Sequence, residues 1–347
     1  MKLRVPRFLR RLTPAPSGFR AQAAVAAVLV AIAGGSGGNL VVHELGKLPD
    51  GAVFRAGGTV VTEDQLQHRV TLMQFLYGVQ QPTDPAALDQ FKRSVAKAIA
   101  VSDIVDDAAR GAGIVIADKA ASDQLDKLVA DEGTDRRAFI QQLGAHGMSE
   151  QDVLDEIKQQ QAGARLFGQV TAPVKAATDA DAQRYYDQNR PQMVSPEQRE
   201  LSNIVVSAPD QAQLVAQQAR SGADFGALAT QYSIDGSTKG KGGALGAVTA
   251  SQLDPGYAKA AFAAPAGSVF GPVQTQTGWN IGKVGAVQPG TPMSFDQVKD
   301  AIKTKLDNDA KLKVWDDFLV AKIKAANVEY APEYRPADPD APPAAGA

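Results

Sequence analysis

Residues 222–284 read GADFGALATQYSIDGST (222–238), KGGALG (241–246) and FAAPAGSVFGPVQTQTGWNIGKV (262–284). Extended back to Glu200, this stretch orders itself as strand, helix, glycine-rich loop, helix, strand. The opening strand, Glu200–Val206, carries Asn203 ahead of an Ile-Val-Val run. Ile234-Asp235-Gly236-Ser237 is turn chemistry, in which an aspartate commonly binds the backbone two residues on. Leu245, Leu253, Tyr257 and Phe262 are apolar positions that would serve as core in any α+β domain. Lys239-Gly240-Lys241-Gly242-Gly243 lacks the order of a phosphate-binding loop and reads as a solvated surface loop.

Conventional catalytic signatures find little support. His43, His68 and His146 fall in separate elements without metal-ligand spacing, and there is no Gly-x-Ser-x-Gly elbow. No metal and no cofactor is expected.

Outward from the block, the chain is long enough, at 347 residues, for two or three folded units. On the N-terminal side, Ala52–Arg55, the Gly57-Gly58 turn and Thr59–Val61 suggest a short hairpin. Thr62-Glu63-Asp64-Gln65 is a capping box, and Leu66, Val70, Met73 and Leu76 follow at helical spacing. Further helices are expected from Pro85 to Ala109, from Asp118 or Ser122 through Val129, around Phe139–Leu143, after Ser149, and over Asp179–Asn189 behind a Thr178 cap. On the C-terminal side, Ser294 opens a long helix with Val298, Ile302, Leu306, Leu312, Trp315, Phe318, Leu319 and Ile323 down one side. That apolar face has nothing nearby in sequence to cover it, and the N-terminal helices share the need. The economical solution is an α+β chain. A helical domain (52–190) is completed by the 293–330 segment, residues 197–288 are inserted as a separate α+β domain, and the Pro/Ala/Asp-rich tail (331–347) is disordered.

The charge is asymmetric. Lys2, Arg4, Arg7, Arg10, Arg11 and Arg20 make residues 1–20 a basic segment, whereas the rest carries 30 basic and 38 acidic side chains. A mildly acidic body is a poor nucleic-acid binder. Residues 21–42 are uncharged. They are expected to form a transmembrane anchor with the arginines inside and the body outside. The alternative is a signal peptide cleaved after Ala31-Ile32-Ala33. Without cysteine, no disulfide framework and no diacylglyceryl anchor is available.

The order of small motifs in 222–284 resembles a parvulin, the small α+β prolyl isomerase. The layout over 52–330, including Tyr185-Tyr186-Asp187-Gln188-Asn189, resembles the SurA/PrsA-type exported foldases, a helical chaperone domain with an inserted parvulin domain. The resemblance implies a proline pocket of Leu245, Leu253, Tyr257 and Phe262. It places Asp235, Thr275 and Thr277 at polar site positions, and Asn203 and Asn280 where the family carries histidines. Ala244 replaces an aspartate of the family's Gly-Asp-Leu-Gly. Rotation about an X-Pro bond crosses a barrier of roughly 18–20 kcal/mol and needs no net proton transfer. Asparagine, with two donors and an acceptor, is able to hold a comparable hydrogen-bond net. The implied function is an exported, membrane-anchored peptidyl-prolyl cis-trans isomerase (rotamase) and foldase, with unfolded or proline-containing polypeptides as clients. The competing function is a non-catalytic chaperone or envelope assembly factor.

Overall fold

The computed structural model describes residues 48–131 and 133–343. The basic segment 1–20 and the uncharged segment 21–42 lie outside the described residues. Among the described residues no helix is long and apolar enough to cross a membrane. Two compact units are present, Thr178–Lys303 and the residues on either side of it.

The first unit begins with a hairpin, β1 (Ala52–Ala56) and β2 (Thr59–Thr62), turned at Gly57 with φ +58°. Its helices are α1 (Glu63–Tyr77), α2 (Pro85–Gly111), α3 (Asp118–Asp131), α4 (Arg136–Ala145) and α5 (Glu150–Thr171). The expected caps form. Thr62 and Gln65 close a capping box on α1, and Ser149 and Asp152 close one on α5. Three apolar clusters hold these elements. Leu72 and Leu76 of α1 meet Leu125, Leu128, Phe139, Leu143, Val153 and Ile157. Phe54, Val61, Val70, Val95 and Ile99 form a second cluster. Val101, Ile104 and Leu166 meet Trp315, Leu319 and Ile323 of the last helix in a third. Trp315 is 2% exposed, with the Phe167 ring edge-on at 5.4 Å and Phe318 stacked at 5.3 Å. Truncating such a side chain costs about 3–5 kcal/mol.

Residues 331–343, expected to be disordered with the rest of 331–347, follow a short strand and are ordered by it; 344–347 lie outside the described residues. Glu329–Tyr330 is a strand, named below as β7, which pairs with β1 and gives the sheet order β2-β1-β7. Ala331 and Tyr334 are buried in the second cluster. Arg93 of α2 donates to the Pro332 and Arg335 carbonyls at 2.8 Å, and Lys97 donates to the Asp338 carbonyl at 2.6 Å. Residues 331–343 are therefore placed by main-chain hydrogen bonds and two aromatic anchors, Tyr330 and Tyr334. The tail's composition suggested disorder, but the second cluster supplies those two rings with an apolar seat.

The second unit contains α6 (Asp179–Asn189), β3 (Gln198–Val206), α7 (Pro209–Arg220), α8 (Phe225–Tyr232), β4 (Ala244–Val248), α9 (Pro255–Ala263), β5 (Val269–Thr275), β6 (Gly278–Gln288) and the first turns of α10 (Phe295–Ala326). Its limits differ from the expected 197–288. Tyr186 sets its ring edge-on to Phe295 at 5.8 Å and donates to the Met293 carbonyl at 2.7 Å. Asp179 pairs with Lys299 and Lys303. These contacts draw α6 and the start of α10 into this unit. The sheet is antiparallel, in the order β4-β3-β6-β5.

A buried acid links α1 to α5. Glu156 is 1% exposed; its Oε1 accepts from the Tyr77 hydroxyl at 2.6 Å and from Gln160 Nε2 at 2.8 Å. Burial raises the carboxyl pKa, against the lowering effect of those two bonds and of Arg69. A carboxyl whose folded pKa is raised stabilises the fold fully below its ordinary value of about 4.3, and that stability is lost as pH rises through the folded value. Glu156→Gln should therefore flatten the decline in stability of the first unit above about pH 5. Denaturant melts of both proteins from pH 5 to 8 check this, and parallel pH profiles would contradict it.

Candidate functional site

The register of the second sheet decides which side chains meet. Along β3, Leu201, Asn203 and Val205 share one face, while Ile204 and Val206 take the other. Residues directly opposite in adjacent strands share a face. Ile204 stands opposite Ile281, and this side is covered by α7 and α8 through Ala212, Val215, Phe225 and Leu228. On the opposite side Leu201 faces Val284, Asn203 faces Gly282, and Val205 faces Asn280. In β5, Phe270 faces Gly282 and Val273 faces Asn280. One row across the strands thus runs Phe270, Gly282, Asn203, and the next runs Val273, Asn280, Val205. Gly282 is required here: a Cβ at that position would enter the Phe270 ring.

Asn203 and Asn280, diagonal neighbours in this register, are 7% and 4% exposed. Asn203 Nδ2 donates to Asn280 Oδ1 at 2.7 Å. Asn280 Nδ2 donates to Thr275 Oγ1 at 2.8 Å and to the Gly278 carbonyl at 3.0 Å. The Thr275 and Thr277 hydroxyls lie 3.0 Å apart. The amide orientations follow from the chemistry of the partners. A carbonyl only accepts, so Gly278 turns Asn280 Nδ2 toward itself. Asn280 Oδ1 then faces Asn203, which must answer with its own Nδ2. The Oδ1 of Asn203 is left buried and without a hydrogen-bond partner among the described residues.

The main chain of Asn203 is held by the glycine loop. Its N–H donates to the Gly243 carbonyl at 2.8 Å. Gly243 has φ +81°, and a Cβ there would lie 2.5 Å from the Asn203 carbonyl oxygen.

Asp235 is engaged locally. Oδ1 accepts from the Ser237 N–H at 3.0 Å and the Ser237 hydroxyl at 2.6 Å; Oδ2 accepts from Thr238 Oγ1 at 2.6 Å. The Ser237 and Thr238 hydroxyls hold its carboxyl below the usual carboxylate range. These bonds build the turn and do not run to Asn203. The loop is joined to β3 by Ser233, which sequence reasoning passed over. Its buried Oγ accepts from the Val205 N–H at 3.2 Å, and the next N–H, of Ile234, donates to the Val205 carbonyl at 2.8 Å.

Leu245, Leu253, Tyr257 and Phe262 fall in one cluster with Leu201, Phe270 and Val284, on the same face as Asn203 and Asn280. Tyr257 is buried with its ring 5.1 Å from that of Phe270; the other three are half-buried. Arg199, also passed over, closes one end of this cluster. It lies over the Phe262 ring at 5.0 Å and donates to the carbonyls of Ala261 and Ala264, capping the last turn of α9. Its parity with Leu201 and Asn203 along β3 was the signal that it points inward. Among the described residues no group of three or more His, Cys, Asp or Glu side chains is placed to hold a metal ion.

Residues 177–300, nearly the span of the second unit, match the family model for the PPIC-type PPIase domain. The chain carries a PPIC-type PPIase domain. It is homologous to PrsA foldases. The foldase protein PrsA of Clostridium botulinum (strain Okra) is 29% identical over 214 residues, covering 61% of this chain and 63% of that protein. The PrsA of Caldanaerobacter subterraneus is 31% identical over 208 residues, covering 60% of this chain and 63% of that protein. The chain thus spans 63% of the length of these curated relatives. Among solved structures, PrsA of Bacillus anthracis is 23% identical, covering 67% of this chain and 96% of that one, with a TM-score of 0.33.

Within the PPIase domain, Gly243→Ala should strain the loop backbone and push on the Asn203 carbonyl. A destabilisation of about 2 kcal/mol or more is expected. A thermal melt of the full chain should show the transition of the domain lowered, and an unshifted melt would contradict the tight Gly243–Asn203 approach.

Proposed function

We propose that this chain is an exported, membrane-anchored peptidyl-prolyl cis-trans isomerase and foldase, acting on X-Pro bonds of polypeptide clients. The observation that carries the reading is the position of the amide chain. The Asn203–Asn280–Thr275–Thr277 hydrogen bonds lie on the same sheet face as the Leu245, Leu253, Tyr257 and Phe262 cluster.

In this reading the apolar cluster receives the proline ring and excludes water. Midway through rotation the X-Pro amide has lost its resonance, so its carbonyl is less polar and its nitrogen is a better acceptor. A dry surface favours that twisted form over the planar, more strongly hydrated one. Donors fixed beforehand add stabilisation that the planar amide does not receive. The Asn203 and Asn280 amides, the Thr277 hydroxyl and the Asp235 carboxylate arrange the rotating bond, Asp235 being held in its turn by Ser237 and Thr238. No proton is transferred, so the chemistry does not demand a titrating group.

Export and anchoring are supported by the six basic side chains before residue 21 and the uncharged stretch 21–42. Clients as the partner class are supported by the resemblance to the PrsA foldases. Recovery of the protein in the soluble fraction, with a mature N-terminus near Gly34, would overturn the anchor.

Nothing in the Asn203–Asn280–Thr275–Thr277 chain titrates between pH 5 and 8. The Asp235 carboxyl, held low, stays ionised throughout that range; its contribution is complete above the ordinary carboxylate value of about 3.9 and is lost only as pH falls below it. Cis/trans exchange of a proline tetrapeptide should be accelerated, with a rate flat from pH 5 to 8. Peptide binding without any acceleration would decide for the non-catalytic chaperone, and a bell-shaped profile would overturn the amide-based site.

A further inference from the structure

Residues 332–343 read PEYRPADPDAPP and lie against α2 in the first unit. Five of these twelve residues are proline, which has no N–H, so the segment cannot satisfy its own carbonyls through regular secondary structure. Helix α2 supplies the missing donors. Arg93 donates to the carbonyls of Pro332 and Arg335 at 2.8 Å, and Lys97, one turn further along α2, donates to that of Asp338 at 2.6 Å. Two of these acceptors are X-Pro carbonyls, those of Arg335-Pro336 and Asp338-Pro339. Tyr334 anchors the segment. It is 7% exposed in the second cluster, and its hydroxyl donates to Glu63 Oε1 at 3.3 Å. A cavity of about 290 Å³ remains beside it, with Leu66, Val70, Phe91, Val95, Glu63 and Lys92 in its lining. Tyr334 thus leaves part of its seat open.

Contacts of this kind read the main chain, so another segment with the same pattern of carbonyls is able to make them. An X-Pro carbonyl belongs to a tertiary amide, an acceptor with no N–H beside it. A donor on that carbonyl deepens the resonance that rotation must break, so this face holds X-Pro segments without turning them. Charge narrows the choice further. Residues 332–343 carry Glu333, Asp338 and Asp340 against one base, Arg335, while α2 presents Lys92, Arg93 and Lys97, of which Arg93 also pairs with Asp89.

Resting on the foldase reading above for its clients, we infer that this face of α2 is a second, non-catalytic dock for proline-containing polypeptides, and that residues 332–343 are its internal occupant. The partner is an acidic segment with two prolines three residues apart and an aromatic side chain ahead of them. It displaces the tail and takes over the bonds to Arg93 and Lys97, its aromatic side chain entering the seat that Tyr334 leaves.

The test compares the full chain with one shortened after Ala331, which keeps β7. The probe is the fluorescein-labelled peptide Glu-Trp-Ala-Pro-Ala-Asp-Pro-Asp, and Kd is read by anisotropy. The shortened chain should bind it about tenfold more tightly than the full chain. Arg93→Ala and Lys97→Ala, each made in the shortened chain, should remove most of that gain, and so should alanine at both prolines of the probe. Neither substitution should alter the exchange rate of a proline tetrapeptide, because the PPIase domain is the other unit. Shortening also removes the buried Tyr334, so the full chain supplies a second measurement. On saturation with the probe, amide hydrogen exchange in residues 333–341 should speed up several-fold. Equal Kd for the full and shortened chains, both melting cooperatively, would overturn the dock, as would a gain that survives both α2 substitutions. Equal binding of the proline-free probe would mark the face as a site for acidic peptides and overturn its proline selectivity. If the shortened chain does not melt cooperatively, the exchange measurement decides, and unchanged exchange in residues 333–341 overturns the dock. A chain that accelerates no proline exchange overturns the isomerase reading alone, and the dock is still decided by the same Kd values.

Discussion

The site in the second unit depends on one hydrogen bond, from Asn203 Nδ2 to Asn280 Oδ1 across β3 and β6. It joins two buried amides that would each be unfavourable alone, since an unpaired polar group in a dry setting costs about 1–3 kcal/mol. Its direction is inherited from a main-chain atom, the Gly278 carbonyl, which leaves Asn280 only one orientation. That direction passes to Asn203 and fixes which of its atoms is left without a hydrogen-bond partner among the described residues. A pair of side chains able to flip freely elsewhere is thus given a single donor and acceptor pattern.

The surroundings enforce the same geometry by close approach. Gly243 brings the loop main chain against Asn203, and Gly278 lets the β5–β6 turn reach Val206, whose carbonyl would sit 2.7 Å from a Cβ there. Gly282 opens the space that the Phe270 ring fills. Three glycines and one aromatic residue therefore set a polar row beside an apolar cluster on one sheet face. Arg199 secures the far end by capping α9, so that the helix bearing Tyr257 and Phe262 is tied to the strand bearing Asn203.

Much of this was legible before the structure. Glycine spacing and the apolar positions of residues 222–284 pointed to the α+β unit, and Asn203, Thr275, Thr277 and Asn280 were singled out together. Their connection was not legible, because it follows from strand register, and register depends on pairing between segments far apart in sequence. Asp235 illustrates the limit. Its Ile-Asp-Gly-Ser setting allowed both a turn and a site role, and the bonds to Ser237 and Thr238 are those of the turn. Ser233 and Arg199 were passed over because each acts on main-chain groups, which no side-chain motif records. Composition alone also hides the placement of residues 331–343: Tyr334, next to the strand residue Tyr330, is buried in the second cluster, and Arg93 binds the Pro332 carbonyl. The edges of the second unit shifted because the Tyr186–Phe295 contact spans more than a hundred residues.

The most direct measurement is NMR of the Asn203 and Asn280 side-chain amides, assigned by single substitution and followed while a proline tetrapeptide is added. The account predicts separate, slowly exchanging Nδ2 proton signals for both residues in the free protein, all moving on peptide addition. Rapidly exchanging signals that ignore the peptide would contradict the claim that a hydrogen-bonded amide pair forms the centre of the site.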